Sequence, residues 1–340
     1  MTTVEEIRTY VEALSFEPEL RRRILMTTGC NDCESIPKVP HAGEVFTDGE
    51  LRYQVMHNGV KVVEDCYCGS WMTETIKLLK GHHEPQEEKI FYEVMKHLPS
   101  QATMLEVGSY WAYYSLWFRR VVDNATNYLI EPDPNNLTVG KRNFEINSAE
   151  GHFFQFSIGR ESLEARPFLC ESDGLEHPVA ETSIDEFMSS VGLDRIDLLL
   201  ADVQGAELPM LEGAVKSINA GKIRFLFLST HHHSISGDPL THQRCAQFLK
   251  DHRAHILAAH NVTESYSGDG LIVASFDDRD RHLPQVEISR NYPSNSLFRE
   301  LEYDLHDAQQ ELIAQRQSYG FRIPLLAGRV KRGLRRLVRL

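Results

Sequence analysis

Three acids close short apolar runs in this chain: Glu106 in TMLEV, Glu131 after YLI and Asp202 after IDLLLA. A further run, IRFLFL, leads into STHHH and puts His231 and His232 at the corresponding place. Polar residues at successive strand ends suit a ligand held at the carboxyl edge of a parallel sheet. Gly108 follows Glu106 by two positions, and a turn needs glycine where the backbone closes on a ligand. Glu131 comes 23 positions after Gly108, a spacing that suits a carboxylate accepting both hydroxyls of a ribose. Dinucleotide turns carry three glycines to admit a pyrophosphate, whereas this one has Tyr110 and Ala112 in the later places. A ribose without a diphosphate points to S-adenosylmethionine.

Methyl transfer from that cofactor is an in-line displacement, and a hydroxyl acceptor must also lose its proton. His231 is the expected base, because histidine titrates near neutrality. If the strand continues, His231 and His233 share a face and His232 points the other way. Asp202, ending the neighbouring strand, would orient His231, or the two would hold a divalent ion. Glu207, five residues on, reads either as part of the site or as a charge complementing a helix start. Cys30, Cys33, Cys66 and Cys68 form two close pairs, either a structural zinc site or unrelated reduced thiols.

The elements that must position these residues follow from patterning. Apolar strands at 103–107, 128–130, 153–156, 196–201 and 223–228 alternate with helices at 113–122 and 211–218, which predicts a mostly parallel sheet covered on both faces. Runs 256–260 and 271–274 read as a closing pair of strands. Ahead of this region, an amphipathic helix (Val4, Ile7, Val11, Leu14) and a hairpin turning at HNG, 57–59, predict an α+β extension over 1–80. The α/β domain spans 81–276. Residues 277–340 read as helical, with Phe298, Leu301, Leu305, Ala308, Leu312 and Gln315 in a short heptad seam that either pairs two copies or packs on the body.

Net charge is −13 over 340 residues, but the last 21 hold seven bases and no acid. So acidic a body argues against nucleic acid as a partner. The stretch 325–340, LLAGRVKRGLRRLVRL, alternates arginine with an apolar face and suits contact with an anionic membrane surface, or a tail docked elsewhere. The beginning MTTVEEIRTYVEAL lacks the character of a secretory signal, so a cytoplasmic location is expected, with the tail at the inner membrane face.

The blocks LEVGSYWAYYSLWF, LIEPDPNNL, FSIG, TSIDEF and IDLLLADVQGAELPMLEGA together resemble the FkbM family of S-adenosylmethionine-dependent methyltransferases. The lead-in KGHHEPQEEKIFYEVMKHL, 80–98, is similar to that family's first helix. The resemblance implies a Rossmann-like class I methyltransferase fold with seven strands, and O-methylation of a sugar or natural-product hydroxyl. It implies that Glu106 holds the methionine amino end and that Gly108, Ser109 and the Tyr110 turn meet the carboxylate. Glu131 would take the ribose, Ser157 or Ile158 would lie near the adenine, and Asp202 would face the sulfonium end or the acceptor. The chain departs from the family at Gln204, where an acid is usual, and at Tyr110-Trp111-Ala112. Two other readings stay open: a nucleotide-sugar oxidoreductase, and a silent scaffold in a glycan assembly complex.

Overall fold

The computed structural model describes residues 4–292, 294–298, 308 and 312–315. The chain divides into two units, Met1–Phe298 and Arg299–Leu340. The described residues of the second are helical and exposed. Leu301 and Leu305 of the heptad seam and all of the 325–340 stretch lie outside the described residues.

The first unit is built on a seven-stranded sheet. Its strands are β1 (Thr103–Val107), β2 (Thr126–Ile130), β3 (His152–Phe154), β4 (Ile196–Ala201), β5 (Ile223–Thr230), β6 (His255–His260) and β7 (Gly270–Ser275). They lie in the order β6-β7-β5-β4-β1-β2-β3. β1 to β5 are parallel, and β7 runs antiparallel between β5 and β6. β4 is buried at every position, and β5 at all but one, which is why their sequences run apolar without alternation.

Two cores follow from the side-chain alternation of these strands. Met104, Leu198, Leu200, Phe225 and Phe227 meet Ile90, Phe91 and Trp117 on one face. Leu105, Leu199, Leu226 and Leu228 meet Phe187, Met210 and Leu211 on the other. The extension is part of the first core through Met56, Val60, Val62, Met72 and Ile76. Its three-stranded antiparallel sheet (Val45–Asp48, Leu51–Val55, Lys61–Val63) turns at His57–Gly59 as the sequence predicts.

Three elements differ from the sequence reading. The helix expected at 211–218 is two short ones, Glu207–Glu212 and Val215–Asn219. Gly213 between them sits so close to the next layer that a Cβ would lie 2.3 Å from the Gly159 carbonyl oxygen. Residues 163–182 form a hairpin, Leu163–Leu169 with Glu176–Thr182, joined by Ser157–Ile158 into a third sheet. Its first strand is mostly exposed and so carries little apolar signal. β5 stops at Thr230 and the chain then turns into a helix at His233–Ser236, so His231 and His233 do not share a strand face.

The turn after β1 fixes the distance between β1 and β4 at their carboxyl ends. Gly108 has φ +74°, and a Cβ on it would fall 1.7 Å from the Asp202 carbonyl oxygen. Gly108→Ala is therefore expected to cost about 2–4 kcal/mol through left-handed strain and overpacking, read as a lower urea midpoint with an unchanged slope.

Candidate active site

A cavity of about 390 Å³ opens along the carboxyl ends of the parallel strands. At the β2–β3 side it is lined by Glu131, Asp133, Asn136, Phe156, Ser157 and Ile158. Glu106, Gly108, Ser109 and Tyr110 from the β1 turn form the middle. Towards β4 and β5 it meets Asp202 and Ser229, and from the N-terminal region Tyr67, Glu84 and Glu87. Sequence reasoning therefore found the strand-end acids, and the structure brings them together.

Each acid is positioned by backbone. The Glu131 carboxyl accepts from the Tyr110 amide at 2.9 Å and the Asp133 amide at 3.0 Å. One lone pair remains on each oxygen for a diol. Glu106 accepts from the Ser115 amide at 3.0 Å, at the start of the helix Tyr113–Val121. Burial lifts the Glu106 carboxyl to about 8, against the hydrogen bonds from Ser115. Burial likewise lifts Glu131 to about 7, against its two amides. Ser109 is buried, and its hydroxyl has no hydrogen-bond partner among the described residues. Two buried acids, one orphaned hydroxyl and a glycine turn suit a ligand with cationic and carboxylate ends, which S-adenosylmethionine has.

His231 is placed beside Asp202 as expected, but its state differs from a free base. Its side chain is fully buried, with Nδ1 against Glu207 and Nε2 3.1 Å from Asp202 Oδ1 and 3.7 Å from Asp269 Oδ1. Burial opposes its charge, yet Asp269, Asp202 and Glu207 together hold it well above the ordinary histidine range. An imidazolium has no lone pair with which to take a proton. Glu207 opens the helix Glu207–Glu212 and is at the same time the buried partner of His231. Neither His231 nor His232 lines the cavity. His232 instead caps the helix after it by accepting from Ser234 N, and its ring stacks on Phe298.

The residues that sequence reasoning passed over come from the turn at 81–88 and from Tyr67. His83 is buried between Glu84, 3.4 Å away, and Glu88, 2.7 Å away. Burial works against its charge, but those two acids lift it to about 10. Tyr67 stacks on Trp111 with centroids 4.5 Å apart and planes 6° apart. The signal for this turn was its run of histidines and acids, HHEPQEE, at a helix start.

Metal expectations fare differently. The two cysteine pairs, open between a zinc site and unrelated thiols, do not converge as a ligand set among the described residues: Cys30 and Cys33 are buried, Cys66 half-buried and Cys68 exposed. Burial lifts Cys66 to about 11 and Cys30 to about 12, which keeps them as neutral thiols. Among the described residues one set of three ligand-type side chains converges: His57, His82 and Glu88. The two imidazoles are stacked 4.1 Å apart with planes 15° apart. A metal bonds in the plane of each ring, so these near-parallel rings cannot share an ion as they stand. Glu88 is also committed to the His83 amide at 2.8 Å and to His82. The set is a buried, stacked and hydrogen-bonded cluster that braces the turn.

The strand order, with an antiparallel β7 inserted beside β5 and a cavity at the carboxyl ends, is that of the class I methyltransferase fold. Residues 93–256 match the methyltransferase FkbM domain, and this stretch is such a domain in an S-adenosylmethionine-dependent methyltransferase. The oxidoreductase reading falls with that assignment. No curated protein matches the chain. Among solved structures it is similar to precorrin-6y C5,15-methyltransferase from Geobacter metallireducens GS-15, with 14% identity, 55% of this chain and 87% of that chain covered, and a TM-score of 0.33. It is also similar to TrmK of M. capricolum in complex with S-adenosyl-homocysteine, with 12% identity, 57% and 74% covered, and a TM-score of 0.34. Likenesses this loose carry no residue role.

Two outcomes follow from the site. Glu106 and Glu131 are lifted above their ordinary 4.5 to about 8 and about 7, so the folded apoprotein favours their protonated forms. Their contribution to stability is full below pH ~4.5 and is lost as pH rises through 7 to 8. A cationic ligand needs the ionised forms, so affinity for S-adenosylmethionine is expected to rise at least about tenfold from pH 6 to pH 8. Calorimetry in buffers of different ionisation heat should register proton release on binding. Separately, His231→Asn is expected to cost about 3–5 kcal/mol by leaving Glu207 buried and unpaired, and a double variant with Glu207→Gln should regain part of it in urea denaturation.

Proposed function

We propose that this methyltransferase acts on a hydroxyl of a sugar, glycan or glycosylated metabolite. The observation that carries the reading is the make-up of the cavity away from Glu131. There Tyr67, Trp111 and Tyr114 stand with the carboxyls of Glu84, Glu87 and Asp202. A sugar presents apolar C–H faces to aromatic rings and hydroxyl donors to carboxylates, and this lining offers both.

The bound cofactor supplies an electrophilic methyl group on a sulfonium. The chain's own residues then bind, orient and exclude water. Glu131 takes the ribose hydroxyls, while Glu106 and the Ser109 hydroxyl take the two termini of the amino acid part. Asp202 stands where the cofactor half of the cavity meets the acceptor half. Positioning of the reacting atoms contributes about 7–11 kcal/mol to such a displacement. The arginine-rich 325–340 sequence supports a second part of the proposal, peripheral contact with an anionic membrane and a lipid-linked acceptor.

The test incubates the whole protein with S-adenosylmethionine and a panel of free sugars and glycosides, and follows S-adenosylhomocysteine and methylated product by mass spectrometry. A methyl ether on a sugar oxygen is the expected product; transfer only to nitrogen, carbon or phenolic acceptors overturns the reading. Glu131→Ala is expected to weaken cofactor affinity by about tenfold to 150-fold, the worth of hydrogen bonds to a charged acceptor, in isothermal titration.

A further inference from the structure

We propose that Glu87 is the general base of the reaction, taking the proton of the acceptor hydroxyl while that oxygen displaces the sulfonium. The proposal rests on the reading that the acceptor atom is a hydroxyl oxygen. It assigns to a residue outside the family-matched stretch the role that the sequence suggested for His231.

Glu87 lies in the first turn of the helix Pro85–Met95, is 8% exposed and lines the cavity. Its neighbours on that turn are tied down. The Gln86 amide donates to the Glu264 and Ser289 carbonyls and accepts from the Tyr266 amide. Glu88 is held by His82 and by the His83 and Glu84 amides. The Glu87 carboxyl, in contrast, has a single long hydrogen bond, from the Ser229 hydroxyl at 3.4 Å, among the described residues. A buried carboxyl with one weak partner is costly to keep in a merely structural role. Four other cavity acids are better occupied: Glu106 by Ser115, Glu131 by two amides, Glu84 by His83 and Tyr114, and Asp202 by Gln204 and His231.

The location suits the chemistry. The Ser229 contact ties Glu87 to the end of β5, on the acceptor side of the cavity and across from the ribose-type site at β2. The groups that face it are Glu84 and His83 from its own turn, Asp202 from the end of β4, Ser229 from β5 and the Tyr114 phenol from the helix after β1. Burial first, then Glu84 and Asp202, push the Glu87 carboxyl well above its ordinary range, against His83 and Ser229. A carboxylate made more basic in this way is matched to an unactivated alkyl hydroxyl. In the step, the acceptor O–H bond breaks and its proton goes to a Glu87 oxygen. The O–CH₃ bond forms as the C–S bond breaks, and that electron pair stays on sulfur.

The experiment compares wild type, Glu87→Gln and Glu87→Asp as whole proteins. Difference infrared titration, with and without S-adenosylhomocysteine, reads the carboxyls without any acceptor. Glu87→Gln is expected to remove one carboxyl that titrates well above the ordinary carboxylate range while leaving S-adenosylhomocysteine affinity within about twofold. Methyl transfer is then read with methyl α-D-glucopyranoside and with 1-propanol across pH. Glu87→Gln should lower transfer to either by about a hundredfold to ten-thousandfold and abolish the rise with pH, with Glu87→Asp in between. An unchanged infrared titration, or alkyl transfer within about threefold of wild type, overturns the assignment. Glu87-dependent transfer to propanol but none to the glucopyranoside leaves Glu87 as the base and overturns the sugar reading; transfer to the glucopyranoside that ignores Glu87 does the reverse.

Discussion

Loss of water around carboxyl groups that no cation pairs with directly sets the terms of this site. Glu106, Glu131 and Glu87 all stand in one cavity, and burial is the first cause of the upward push on each. Elsewhere the fold answers the same problem with imidazoles: His231 sits among Asp202, Glu207 and Asp269, and His83 sits between Glu84 and Glu88. Those histidines are thereby used up as counter-ions. What remains uncompensated is the acid lining itself, and the positive charge of the cofactor completes it.

Such an arrangement needs a rigid frame, because an acid free to move would find water. The frame is the parallel sheet with a core on each face and the turn at Gly108 pressed against the Asp202 carbonyl. Amides at Tyr110, Asp133 and Ser115 then aim the acids. The His57–His82–Glu88 network does the equivalent for the turn that carries His83, Glu84 and Glu87.

The sheet and the cofactor half were legible in the sequence for a plain reason. β1, β2, β4 and β5 are buried runs that stop abruptly at a polar residue, so the strand and its functional end are written together. Glu87 was not legible, since helical spacing says that 85–95 is a helix but not that its first turn meets the end of β5. His231 was legible as a neighbour of Asp202 and misleading as a base, because Glu207 and Asp269 reach it only through tertiary packing. The 163–182 hairpin escaped notice because its outer strand buries almost nothing.

Tyr67 enters the cavity from a loop whose backbone turns left-handed at Asp65, Cys68 and Gly69, well ahead of residue 93. On the proposed reading, part of the acceptor half thus comes from outside the stretch that holds the cofactor. With Tyr67 meeting the acceptor as proposed, substitutions in that loop would change which molecule is modified while the turn and acids of the cofactor half stay as they are.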